Sequence, residues 1–191
     1  MINTALQFLL HTILGLFTIA LLLRFYLQLT RAPFQNPVSQ AVVSVTNFAV
    51  KPVRRIIPGI AGVDTSTLLL AFVTQFLLET GSRMVSGYPL FVADNSLWIA
   101  LLGLAFVGLV KLSIYIFLYA VFLQAILSWI NPHTIMTPVL DALTRPLLKP
   151  LRNRIPMAGG FDLTPLVVFI VAELLLIIVV TPTEMQLLRL F

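Results

Sequence analysis

There is no cysteine among the 191 residues, which excludes disulfides, thiolate metal sites and covalent c-type haem attachment through a CxxCH motif. Charge is scarce too. Charged residues make up 10% of the chain against 59% hydrophobic, too little polar surface to solvate a globule. No HExxH, GxSxG or P-loop pattern occurs, so the chain is expected not to be an enzyme. His11 and His133, the only histidines, fall too far apart to be the two axial ligands of one haem, and no cofactor is expected. Gly87 and Tyr88 lack the remainder of a TVGYG filter loop.

Long apolar runs take the place of these features. Asn3 to Leu29, Thr67 to Leu78, Leu97 to Ile130 and Leu166 to Val180 are rich in Leu, Ile, Val, Phe and Ala. A span of about 20 such residues matches a hydrocarbon core of roughly 30 Å, where only closed hydrogen bonding survives. Uniform rather than alternating hydrophobicity favours helices over a barrel. The first run lacks the charged start and cleavage site of a signal peptide, so it is expected to be retained. The third is longer than one span needs. It is read as a single helix projecting beyond the membrane, with a break near Gly108 and Lys111 as the alternative.

Lys and Arg are unevenly spread. Arg31, Lys51, Arg54 and Arg55 lie between spans one and two, and Arg145, Lys149, Arg152 and Arg154 between three and four, whereas the middle loop has only Arg83. The positive-inside rule makes both basic segments cytoplasmic and both termini periplasmic. The net charge of +5 is thus a membrane feature, and no nucleic acid partner is expected.

A shift of 98 residues superposes KPVRRIIPGIAGVD (Lys51 to Asp64) on KPLRNRIPMAGGFD (Lys149 to Asp162). Seven of the fourteen positions agree: Lys51/Lys149, Pro52/Pro150, Arg54/Arg152, Ile57/Ile155, Pro58/Pro156, Gly62/Gly160 and Asp64/Asp162. That agreement indicates a parallel duplication. The expected fold is an all-α membrane protein with four transmembrane helices in two parallel repeats, each with a cytoplasmic amphipathic segment. Residues 1–90 form the first repeat, with basic segment 31–65, and 91–191 the second, with basic segment 131–164. Upstream of the first signature, Asn36 and Pro37 fit an N-cap and first helical position, with Val38, Ala41, Val42, Val45 and Ala49 on one face and Gln40, Ser44, Asn47 and Lys51 opposite. Thr137 and Pro138 play those parts in the second, with Val139, Leu140, Leu143 and Leu147 apolar. There Pro146 is expected to kink or end the helix. Such helices lie in the interface plane.

The stretch LLLRFYLQLTRAPFQNPVSQ (Leu21 to Gln40), the two KPxR…P…G..D signatures and LSWINP (Leu127 to Pro132) together resemble the YggT family of bacterial membrane proteins, which includes YlmG-related and plastid proteins. The resemblance covers nearly the whole chain. It implies a small, non-enzymatic inner-membrane protein, and relatives are connected with osmotic-stress tolerance and potassium uptake, with cell division, and in plastids with nucleoid distribution and cytochrome haem assembly. It brings no catalytic motif.

The clusters Lys51, Arg54, Arg55 and Lys149, Arg152, Arg154 are candidates for contact with anionic headgroups or a partner, each cation being attracted by about 1 kcal/mol near such a surface. Their alternative is plain topology. Asp64 and Asp162 each precede a span and suit helix starts. A lone charge in an apolar block costs several kcal/mol unless paired or wetted. Arg24 and Glu79 are near span ends, where Arg24 can snorkel. At 1.5 Å per residue, Lys111 lies about 21 Å into span three from outside and Glu173 about 12 Å into span four from inside, so the two are expected to pair. A role for Glu173 in ion or proton passage is the alternative. Gln75 and Thr74 would join them in any polar path. Three function classes follow in order: ion homeostasis, membrane scaffold, and an undetected intramembrane enzyme. Four spans are few for a monomeric pore, so a homo-oligomer or a membrane-protein partner is expected.

Overall fold

The computed structural model describes residues 1–60, 62–88, 90, 95–131, 133–155 and 162–191. Pro132, Pro156 and Gly160, used in the motifs above, lie outside them. The elements are α1 (Ile2–Leu29), α2 (Pro37–Ile56), α3 (Thr65–Val85), α4 (Asn95–Ile130), α5 (Thr137–Arg152) and α6 (Thr164–Leu175), which passes through a π-helical turn at Leu176–Val180 into α7 (Thr181–Leu188). Four helices are long and apolar enough to cross a membrane: Ile2–Leu29, Thr65–Val85, Ser96–Ile130 and Thr164–Leu188. Their outer faces are apolar; Phe8, Ile13, Phe106 and Ile177 are each 62–68% exposed. Such a surface is an aggregation hazard in water and a solvated one in lipid.

The second and fourth helices outrun the apolar runs that mark them. Asp64 caps α3 and its polar last turns stay helical as far as Val85. α4 is one helix of 36 residues, about 54 Å long against a core of roughly 30 Å, so one end must leave the hydrocarbon or the helix must tilt. Gly108 does not break it. A Cβ there would come within 3.0 Å of Gln75 Cδ, so the missing side chain is what lets α3 and α4 approach.

The turn out of α1 explains how α2 is delivered. Arg31 adopts φ 54, Ala32 N–H donates to Leu27 O at 2.9 Å and Arg31 N–H to Gln28 O at 3.1 Å. These are the paired bonds of a Schellman ending, closed by Ala32 and Leu27 meeting in one core. Asn36 then caps α2 by accepting from Ser39 N–H at 2.8 Å, as the sequence predicts. The predicted apolar face of α2 divides in two. Ser39, Val42, Thr46 and Val50 pack on the body, whereas Val38, Ala41, Val45 and Phe48 form an exposed strip beside them. Small and hydroxylated residues face the body because α2 lies close against α1, where polar groups find partners.

In α5 the cap is Met136 rather than Thr137, and Thr137 opens the helix. Pro146 does not end it: the helix runs through Pro146 and Pro150 to Arg152. Both prolines are exposed, so the carbonyls they leave unbonded face outward. Val139, Leu140 and Leu143 are buried with Leu27 and Ala120, joining α1, α4 and α5, while Leu148 packs with Val121 and Val168. Leu147 is 37% exposed.

Candidate functional site

Both signatures close on themselves at the same end of the bundle. The Arg54 guanidinium donates from Nη2 to Asp64 Oδ2 and more loosely to Gln28 Oε1 at 3.4 Å. Asp64 also accepts from Ser66 Oγ at 2.9 Å, Thr67 N at 3.3 Å and Thr67 Oγ1 at 2.6 Å. Its side chain is 1% exposed, that of Arg54 43%. Burial alone would raise this carboxyl's pKa, but the Thr67 and Ser66 hydroxyls and Arg54 outweigh it and hold it below the ordinary carboxylate range. In the second copy Arg152 Nε donates to Asp162 Oδ2 at 2.8 Å, and Asp162 Oδ1 accepts from Thr164 N–H at 2.9 Å. Burial pushes Asp162 up, while Thr164 and Arg152 more than reverse it, so it too is lowered. This lock is more open, with side chains 49% and 31% exposed. Asp64 is the cap of its helix, whereas Asp162 stands one residue before Leu163, the cap of α6.

A second tie holds each of α2 and α5. Arg24, 6% exposed, does not snorkel to water: its Nη1 donates to Thr46 Oγ1 at 2.8 Å and Asn47 Oδ1 at 3.1 Å. Thr46 can accept because its own proton goes to Val42 O at 2.6 Å. In the other half Gln124 of α4 lies between Thr144 and Asp141 of α5, bonded to both. Thr46 and Thr144 are themselves 98 residues apart, so continuing the shift upstream of Lys51 would have found them. The ion pairs were harder to see. Arg and Asp ten residues apart each carry a sufficient separate explanation, headgroup contact and helix start, until the turn at Gly62 (φ 82) folds them together.

With Arg54 and Arg152 engaged by carboxylates, Lys51, Arg55, Lys149 and Arg154 are exposed cations of the two signatures that have no carboxylate partner among the described residues. Lys149 has company that the sequence reading did not assign. Together with Thr30, Arg31, Ala142, Arg145, Pro146 and Pro150 it lines a groove of about 540 Å³ where the linker after α1 meets α5. Three cations converge on it.

The expected Lys111–Glu173 pair is not formed. Lys111 Nζ instead meets Glu184 Oε2 at 2.8 Å, and Glu173 is exposed on the outside of α6. Depth counted from the ends of the apolar runs suggested the match, and the helix register removes it: from the contact of Phe122 with Phe169, whose ring centres are 6.2 Å apart, Lys111 is about 16.5 Å up α4 but Glu173 only about 6 Å up α6. The four-carbon Lys stem reaches on toward the far end, where Glu184 meets it. Near that end Glu79 accepts from Gln75 Nε2 at 3.5 Å and lies 3.7 Å from Arg83, and the Arg83 guanidinium sits 4.7 Å from the Phe191 ring centre. Gln75 Oε1, Thr80 Oγ1 and Arg83 Nε are buried with no hydrogen-bond partner among the described residues, the condition that recruits ordered water. Thr74 bonds its own backbone at Leu70 O, 2.7 Å away. Between this polar end and the Arg54 lock, Leu21, Leu22, Ala71 and Leu109 pack at 0–7% exposure. Among the described residues no group of three or more His, Asp or Glu side chains could hold a metal.

The CCB3/YggT family model matches residues 3–85 and again residues 91–183. The uncharacterised protein PA0392 of Pseudomonas aeruginosa is 34% identical over 183 residues, covering 94% of this chain and 90% of the relative. YggT of Escherichia coli K12 is 34% identical over 166 residues, 85% of this chain and 82% of the relative, and an uncharacterised protein of Haemophilus influenzae is 33% identical over 161 residues, 84% and 83%. No solved structure matches. Matched along nearly its full length, the chain belongs to the CCB3/YggT family.

Proposed function

We propose that this is a non-enzymatic, two-module protein of the bacterial inner membrane. Its cytoplasmic face, bound to anionic headgroups, is a platform for a membrane-protein partner in cell division or complex assembly. The carrying observation is the doubled lock: Arg54–Asp64 and Arg152–Asp162 stand at matching places in the two halves and fix α2 and α5 beside the spans. The family model's two successive matches support the repeat. The exposed strip Val38, Ala41, Val45 and Phe48 beside the docked face of α2 suits a helix lying in the interface, apolar side toward lipid. Arg31, Arg145 and Lys149 around one groove suit a phosphate-bearing headgroup, which each cation attracts by about 1 kcal/mol.

A contribution to osmotic-stress tolerance or potassium homeostasis is the second reading. The water-recruiting cluster around Gln75, Glu79, Thr80, Arg83, Lys111 and Glu184 favours it. It ranks second because the Leu21, Leu22, Ala71 and Leu109 layer separates that cluster from the basic face within one chain. A deletion strain carrying either the native chain or an Arg31→Ala, Arg145→Ala, Lys149→Ala triple variant distinguishes the readings. The platform predicts misplaced division or assembly proteins that the native chain restores and the triple variant does not. Full rescue by the triple variant, with a defect confined to potassium uptake after osmotic challenge, overturns it.

A further inference from the structure

Glu173 is exposed near the middle of a predominantly apolar helix of 25 residues, where a carboxyl facing hydrocarbon costs several kcal/mol. Among the described residues of its own chain it has no ion-pair partner. Its surroundings narrow what can supply one. α4 and the α6–α7 helix run antiparallel: Phe122 and Phe169 meet with ring centres 6.2 Å apart, and at the far end Gly103 lies against Leu187. From the Phe122–Phe169 contact toward that end, Tyr119 is about 4.5 Å up α4 and Glu173 about 6 Å up α6, at 1.5 Å per residue. The two therefore share a level to within about 2 Å. They also share a side. Tyr119 follows Phe122, and Glu173 follows Phe169, along the flank of the α4–α6 groove on which the two rings touch. Tyr119 is 64% exposed and stacks on Tyr115 at 6.3 Å. A phenol donor and a carboxyl acceptor thus stand at one depth on one lipid-facing flank, with no side-chain hydrogen bond to any of the described residues.

We propose that this flank is the interface of a homodimer, with Tyr119 of each copy donating to Glu173 of the other. A two-fold axis along the membrane normal preserves depth, so two groups at the same level on one copy face each other reciprocally across the axis and form two equivalent bonds. An unrelated partner would have to present its own donor and acceptor at matching depth, whereas a second copy carries both already. Phe122 and Phe169 supply the apolar contact on the cytoplasmic side of the pair, in the orientation proposed above. The interface stands independently of whether the cytoplasmic face is a platform.

The natural absence of cysteine makes the test clean. In inner-membrane vesicles, full-length chains bearing different tags and carrying Tyr119→Cys or Glu173→Cys should oxidise to a mixed-tag dimer. Ile13→Cys, at an equally exposed site on α1, should give little. Energy transfer between labelled chains reconstituted in liposomes should show dimerisation weakened about tenfold by Glu173→Leu, the worth of two interhelical hydrogen bonds in lipid. Glu173→Gln, which still accepts from a phenol, should retain most of it. Glu173 is exposed in its own chain, so Glu173→Leu is expected to fold normally. Cross-linking at Ile13→Cys equal to that of the Tyr119/Glu173 pair, no mixed dimer with the pair, or unchanged association of Glu173→Leu would each overturn the proposal.

Discussion

Asp64→Ala is expected to destabilise the folded protein by about 3 kcal/mol, the sum of a lost helix cap and the hydroxyl and guanidinium donors left behind. Asp162→Ala should cost about 1 kcal/mol, since an ion pair this open is weakened by solvent. The difference follows from burial: the Asp64 side chain is 1% exposed with four donors upon it, the Asp162 side chain 31% exposed with two. Asp64→Asn should fall between, because an amide oxygen still accepts from Thr67 N–H but carries no charge for Arg54. Unfolding in detergent, followed by helicity, measures all three. Acid gives a second reading. Both carboxyls are lowered in the folded state, so the stability they contribute is present above the ordinary carboxylate pKa, about 3.9, and is lost as the pH falls through the depressed folded value. The gap between the native chain and Asp64→Ala should therefore be constant at neutral pH and close only below about pH 4. A constant gap at all pH values, or equal losses in the two aspartate variants, would contradict the lock.

Gly108→Leu should be as damaging, for a different reason. The Gln75 side chain lies directly on the Gly108 backbone, and Gln75 is 5% exposed, so a side chain at 108 must drive α3 and α4 apart. Overpacking of this kind costs typically 1–3 kcal/mol, and here it also displaces the amide that donates to Glu79. Gly15 is the internal control. Nothing lies within 4 Å of a Cβ built there, so Gly15→Ala should be neutral or stabilise by up to about 1 kcal/mol through helix propensity. If both glycine variants melt alike, close α3–α4 packing is not what Gly108 provides.

The four apolar helices were legible because nothing but a helix satisfies the backbone in lipid, and the Asn36 and Asp64 caps because capping is local chemistry. What sequence reading missed is register and azimuth. Counting from the ends of the apolar runs put Lys111 level with Glu173, but the packing of α4 on α6 at Phe122 and Phe169 sets Lys111 about 10 Å nearer the far end, where it meets Glu184, and Glu173 faces outward. Azimuth hid the role of Arg24, which looked like a snorkelling residue until α2 was docked with Thr46 beneath it. Pro146 misled because its helix-breaking penalty was assigned without knowing that its face is exposed. The locks were overlooked for a related reason: Arg54 and Asp64 each had a local explanation, and only the turn between them brings them together.

The account rests on two parallel modules with both locks on the cytoplasmic side, and reporter fusions test that directly. Alkaline phosphatase joined after Ser86 should be active, and joined after Asp64 or Asp162 inactive, as positive-inside orientation of both basic segments requires. Activity after either aspartate, or inactivity after Ser86, would place one module upside down and contradict the shared cytoplasmic face.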